Sequence, residues 1–150
     1  MRIIFASALL FSAFSTQTVV AAETPQCTTL STTEVENLFE RWNKSLATLD
    51  SKEVAKNYSK DSVLLATLAN DPRLTNGQRT QYFDEFLKKK PQGHIDSRSI
   101  QTGCNWAVDV GTYTFTMKDG AKVPARYTYT YIYEDHNWLI SSHHSSMMPQ

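Results

Sequence analysis

The feature that most constrains this chain is a change of hydrophobic period near His94. Before that point apolar residues recur at helical spacing, and after it they alternate one by one to the C-terminus. The alternating half suggests strands at His94–Gln101, Cys104–Lys118, Val123–Glu134 and Asn137–Met147. Asp119-Gly120 marks one hairpin and Glu134-Asp135-His136-Asn137 another. Helices followed by a long antiparallel meander bury their apolar faces most simply as an α+β domain, with the helices on one face of the sheet. In the third of these strands Tyr127, Tyr129, Tyr131 and Tyr133 share one face, and Arg126, Thr128, Thr130 and Ile132 the other.

The helical half carries explicit start signals. Ser31 and Glu34 form the S-x-x-E pattern of a capping box, and Leu30 with Val35 supplies a hydrophobic staple. Val35, Leu38, Phe39, Trp42, Leu46 and Leu49 then make one apolar stripe. Asp50 caps a second, short helix expected to end near Tyr58. Val63 to Leu68 reads as a brief buried strand, and Asn70-Asp71-Pro72-Arg73 as a turn. Thr75 and Gln78 offer a further capping box for a third helix, whose buried edge is Tyr82, Phe83, Phe86 and Leu87. Pro91-Gln92-Gly93 stops it.

Residues 1–22 read as a cleavable signal peptide. Arg2 is the only charge, Ile3 to Phe14 is apolar, and Val20-Ala21-Ala22 places small residues at the cleavage position. The apolar run has roughly a dozen residues, short of the ~20 that span a bilayer, and no later stretch is long enough. The expected product is periplasmic or secreted, with a segment 23–30 leading into one domain, 31–150. The whole chain has 15 basic and 15 acidic residues, and loss of Arg2 leaves it near −1. No basic stripe suits a nucleic-acid backbone, and Lys88-Lys89-Lys90 reads as a solvated helix end. In an oxidising compartment the two cysteines, Cys27 and Cys104, are expected to pair, tying residues 23–30 to a strand. The alternatives are free thiols or half of a metal site, though neither cysteine has a CxxC spacing or nearby histidine ligands.

Particular residues sharpen the expectation of fold. Arg41-Trp42-Asn43, Asp61-Ser62-Val63-Leu64-Leu65 and the terminal Trp138-Leu139-Ile140-Ser141-Ser142-His143-His144-Ser145-Ser146 resemble one branch of the nuclear transport factor 2 superfamily. That branch comprises the association domain of calcium/calmodulin-dependent protein kinase II and small bacterial SnoaL-like relatives. The resemblance covers residues 30–149. It implies a cone-shaped curved antiparallel sheet, about three N-terminal helices on its concave face, an enclosed pocket, and self-association through the sheet as a homodimer or larger ring. Superfamily members include isomerases, cyclases, dehydratases and plain binding proteins, so the fold places a site without naming its chemistry. No glycine-rich or catalytic loop of a kinase is present.

The candidate site residues follow. His143 and His144 are adjacent on a strand, so only one faces the cone. Position in the terminal motif selects His144, a general acid or base near neutrality. Asp109 is the second catalytic candidate, a carboxylate flanked by valines that could be held dry with a raised pKa; a solvated strand face is the alternative. Trp42, Tyr58, Arg126, Thr128 and His144 are the expected ligand-pocket set, with Trp42 and Tyr58 on helix faces. Arg126 would offer a planar fork to a carboxylate, or else lies on the surface at the strand's start. Asp96 is expected to pair with a neighbouring charge. The tyrosine stripe forms either a dimer interface on the convex face or a pocket wall on the concave one. His94 and His136 add no metal-ligand spacing, so no metal and no cofactor are expected. The favoured function is a binding domain for a small organic molecule, anionic or neutral. The alternatives are an acid–base enzyme using His144 with Asp109 or Arg126, and a pure oligomerisation module.

Overall fold

The computed structural model describes residues 26–67 and 69–149; the expected signal peptide lies outside them. Helix α1 spans Thr32–Ala47, α2 Ser51–Ala55 and α3 Asn76–Phe86, the last running into a 3₁₀ turn at Leu87–Lys89. The strands are β1 Tyr58–Leu65, β2 Gln92–Gly103, β3 Trp106–Thr116, β4 Lys122–Glu134 and β5 Asn137–Met147. Among the described residues no helix is long and apolar enough to cross a membrane.

The helix starts obey their caps. Ser31 accepts from the Glu34 amide, and the Glu34 carboxylate in turn accepts from the Ser31 amide at 2.8 Å. Thr75 and Gln78 repeat the arrangement on α3. Helix α2 ends three residues earlier than expected, at Ala55. Asn57 turns the chain there, its Nδ2 donating to the Val54 carbonyl at 3.0 Å. Tyr58 therefore opens β1 and is a strand residue, where a helical one was expected.

The five strands form a curved, unclosed sheet in the order β1-β5-β4-β3-β2. Strands β2 to β5 are the antiparallel meander the alternation implies. Strand β1 joins the other edge in parallel with β5, making the sheet mixed. Between Tyr58 and Val63 it leaves the ladder, and the buried Arg79 of α3 satisfies the carbonyls freed there. Its guanidinium donates to the carbonyls of Ser62 (2.8 Å), Lys60 (3.2 Å) and Ser59 (3.3 Å).

Two further β-bulges decide which side chains face the helices. In β2, Ile95 pairs with Tyr113 and Ser97 with Thr112, so Asp96 is an extra residue. In β5, Ile140 pairs with Tyr131 and Ser142 with Thr130, so Ser141 is extra. An extra residue reverses the in–out alternation beyond it. Gly111 lies beside the β2 bulge, where a Cβ would collide with the Ser97 carbonyl.

The core lies between α1 and the concave face. Phe39, Trp42, Tyr127, Tyr129 and Tyr131 are all buried in it, so the tyrosine stripe is concave. Each such aromatic contributes roughly 2–3 kcal/mol of transfer free energy. Cys27 and Cys104 form a disulfide with Cα atoms 5.0 Å apart. Beside it the Thr28 amide donates to Asn105 Oδ1 at 2.8 Å, and the Asn105 amide to the Thr28 carbonyl at 2.8 Å. The segment before α1 is thus fastened to the β2–β3 hairpin.

Candidate functional site

Between α3, β1 and the open half of the sheet lies a cavity of about 370 Å³. Its walls are largely apolar, with Leu64, Phe83, Phe86 and Phe115 prominent, and Glu85 and Lys89 also line it. Thr67, Tyr113, His143 and Ser145 supply polar groups to the same cavity. Tyr113 O–H donates to Ser145 Oγ at 2.6 Å, and Ser145 Oγ lies 2.7 Å from Thr67 Oγ1.

His143 is the buried histidine, 4% exposed, whereas His144 is exposed. The expected orientation is thereby corrected, and the Ser141 bulge is the reason. With Trp138 and Ile140 facing the core, strict alternation would bring 142 and 144 inward. The extra residue brings His143, Ser145 and Met147 inward instead. The His143 ring stacks on Tyr129, centroids 4.1 Å apart, and meets Trp42 edge-on at 5.5 Å. Its Nδ1 is 2.8 Å from the Tyr58 hydroxyl, which accepts from Trp42 Nε1–H at 3.1 Å. Nε2 has no partner among the described residues. Burial first, and the neighbouring His144 second, push the imidazole pKa down to about 3, so His143 is neutral at physiological pH. Burial likewise raises the pKa of Tyr113, outweighing the hydrogen bond to Ser145; its hydroxyl stays protonated.

The remaining expected residues fall elsewhere. Arg126 and Thr128 alternate with the inward tyrosines and lie on the convex side. Arg126 is exposed and its guanidinium reaches the Met147 carbonyl at 3.4 Å, so neither residue lines the cavity. Asp109 is fully buried on the concave face but is also absent from the cavity wall. Its Oδ2 accepts from Arg98 Nη2 at 2.7 Å and its Oδ1 from Tyr127 O–H at 2.8 Å. The β2 bulge makes this pair by turning Arg98 inward. Asp96, expected to meet a charge, instead accepts from the Thr114 hydroxyl at 2.7 Å. Of the expected pocket set, Trp42 lines the cavity and Tyr58 sits directly behind His143. Thr67 and Tyr113 were missed by sequence reasoning. Tyr113 shares the inward alternation of Phe115 and was findable; Thr67 lies beyond the end of β1 and was not. Among the described residues, no three His, Cys, Asp or Glu side chains converge on a point that could hold a metal.

Helices closing a curved sheet over a pocket define the cone architecture of nuclear transport factor 2-like proteins. Within that class, the family model of the calcium/calmodulin-dependent protein kinase II association domain matches residues 31–149, and the chain belongs to this family. A solved protein from Xanthomonas campestris, described as such an association domain, is 46% identical, covering 78% of this chain and 87% of its own, with a TM-score of 0.75. An iota-carbonic anhydrase from a cyanobacterium, solved with bicarbonate, superposes with a TM-score of 0.72 at 19% identity, covering 86% of this chain and 99% of its own. A nuclear transport factor 2-like protein from Pseudomonas putida gives 0.68 at 15% identity, covering 76% and 84%. Comparison with curated proteins returned no match.

Proposed function

We propose that the cavity binds a small planar oxyanion at its hydroxyl–imidazole head, with bicarbonate as the ligand and hydration of carbon dioxide as the reaction. The observation that carries this is that the linked Thr67, Tyr113 and Ser145 hydroxyls and a neutral, buried imidazole line one apolar cavity. Fixed donors in a water-poor site stabilise developing negative charge far better than water does. Apolar walls suit carbon dioxide itself. In the proposed step, water held by Ser145 and Thr67 forms a C–O bond to carbon. One C=O electron pair then moves onto the oxygen facing His143, and the water's proton leaves through the hydroxyl chain to solvent. The likeness to the bicarbonate-bound carbonic anhydrase supports this reading at the level of fold.

Stopped-flow hydration with a pH indicator tests it. Wild-type protein is expected to exceed the uncatalysed rate, and Ser145→Ala, which loses a hydroxyl holding the attacking water, to lose roughly a hundredfold in kcat, the scale of misplacing a reactant. A wild-type rate equal to the buffer control would rule the reaction out. The cavity volume favours a second reading, because about 370 Å³ exceeds what bicarbonate fills and falls in the range of organic-ligand pockets. An organic carboxylate would place its anionic group at the same head and its body against Phe83, Phe86 and Phe115. Benzoate raising the melting temperature, with no hydration activity, would favour that reading.

Export and self-association belong to the same proposal. The Cys27–Cys104 disulfide supports passage through an oxidising compartment; N-terminal sequencing of the exported chain is expected to begin at Glu23. The convex sheet face exposes Trp106 and Val110, each 40% accessible, a surface suited to a second copy. Light scattering is expected to give a dimer or larger ring that Val110→Glu dissociates; a monomeric wild type would end the idea.

A further inference from the structure

We propose that Tyr58, itself fixed by Trp42, is a positioning residue that holds the His143 imidazole with its proton on Nε2, so that this ring serves the cavity as a donor and never as a base. The inference deepens the oxyanion reading and rests on it for its functional consequence, though not for the geometry.

The direction of the proton follows from counting donors. Trp42 Nε1–H has no acceptor role, so its 3.1 Å contact makes Tyr58 Oη an acceptor. The Tyr58 hydroxyl then has its own hydrogen to place, and the remaining partner within reach is His143 Nδ1 at 2.8 Å. A nitrogen that accepts cannot carry the proton of a neutral imidazole, which therefore sits on Nε2. Protonating the ring at Nδ1 would turn two hydrogens toward one another across that contact. Nε2 is the ring nitrogen without a partner among the described residues, on a side chain that is 4% exposed and lines the cavity. A buried donor left unmatched is costly, so the site is built for an acceptor that arrives with the ligand.

The rest of the head points the same way. Tyr113 commits its hydrogen to Ser145. Ser145 and Thr67 share one hydrogen between them across 2.7 Å and keep one for a ligand. The carboxylate on the wall, Glu85, is bonded to Lys88 at 2.6 Å, and its side chain is 71% exposed. The head therefore offers two free donors, the Nε2–H and one hydroxyl, without an ionised acceptor facing them. Such a set selects a deprotonated oxyanion over its conjugate acid or an amine.

The test is the tautomer of His143 in ¹⁵N-labelled full-length protein without ligand, read from long-range ¹H–¹⁵N spectra at neutral pH. The Nε2–H pattern is expected, and an Nδ1–H pattern in the wild type would overturn the proposal. In Tyr58→Phe, which keeps the ring and removes the hydroxyl, a mixture of both tautomers is expected, with bicarbonate affinity about tenfold weaker, the scale of one lost hydrogen bond. An unchanged, pure Nε2–H pattern in that variant would also overturn it. Trp42→Phe is a second probe should Tyr58→Phe fold poorly, with the tautomer expected to become less uniform. Because the tautomer is read without ligand, a wild type that is Nε2–H yet binds no bicarbonate sinks the oxyanion reading and leaves the role of Tyr58 standing.

Discussion

Asp109→Ala is expected to lower unfolding free energy by roughly 3–5 kcal/mol, the range for removing one partner of a buried ion pair. The variant leaves Arg98, whose side chain is 19% exposed, facing an apolar interior without its 2.7 Å carboxylate. It also removes the acceptor of the Tyr127 hydroxyl. Glu36 Oε1 remains 3.6 Å from Arg98 Nη1, but on a side chain that is 41% exposed it compensates the guanidinium only in part. The cost is that of an uncompensated group more than of a lost attraction. The double replacement Arg98→Met with Asp109→Leu should therefore recover most of the loss. Denaturant midpoints measure both. A loss below about 1 kcal/mol in the single variant would show that the pair is not structural. If the proposed hydration reaction is found, its turnover per folded molecule is expected to be unchanged, since Asp109 does not line the cavity; a selective loss of turnover would return Asp109 to the catalytic role anticipated for it.

The second large effect is a dependence of stability on pH that belongs to His143. Its folded pKa lies at about 3, while an unfolded histidine titrates near 6.5. Between those values the unfolded chain binds a proton that the folded one refuses, so stability falls as pH drops. The slope is slightly above 1 kcal/mol per pH unit, reaching roughly 3–4 kcal/mol by pH 3.5, and is absent above about pH 7. Carboxylates titrate at the acid end too, so the measurement is the difference between wild type and His143→Gln. That difference is expected to be flat above pH 7 and to change steadily from pH 6 to pH 4. A constant difference across the whole range would mean that the folded imidazole protonates freely. The groups around it are Trp42, Tyr58, Tyr129 and His144, none of which is a carboxylate that could stabilise the charged ring.

Much of the fold is legible because local chemistry and global packing agree. The Ser31–Glu34 box, the stripe from Val35 to Leu46 and the switch to period two at His94 each specify one element without help from distant residues. The parallel seat of β1 against β5 is not written locally, because any strand of that length could take either edge. Arg79 illustrates the difficulty: a guanidinium in a helix of exposed polar residues reads as surface until the β1 carbonyls it holds are placed.

The site was less legible for one physical reason. Period-two reading assumes an unbroken pleat, and both polar clusters depend on breaks in it. Asp96 and Ser141 carry no bulge signature such as an isolated glycine. Without them Arg98 would not meet Asp109, and His144 would have been the inward imidazole. Sequence reasoning pointed His144 inward, and the bulge turns His143 inward instead. Arg126 and Thr128 failed differently: the tyrosines won the concave face, which put every residue between them outside.

The Ser141 bulge also bears on how this motif tolerates error. The chain reads Ser142-His143-His144-Ser145-Ser146, so the inward pair is a histidine followed two positions later by a serine. If the bulge were ironed out with every residue kept, the face beyond it would exchange, and Ser142 with His144 would arrive where His143 and Ser145 now stand. A serine and a histidine would still face the cavity, but in exchanged places. A doubled motif beside an irregular stretch of strand thus keeps an imidazole and a hydroxyl on the inward face in either register, but the slip would carry the imidazole to the place of Ser145 and leave a serine where His143 now meets the Tyr58 hydroxyl.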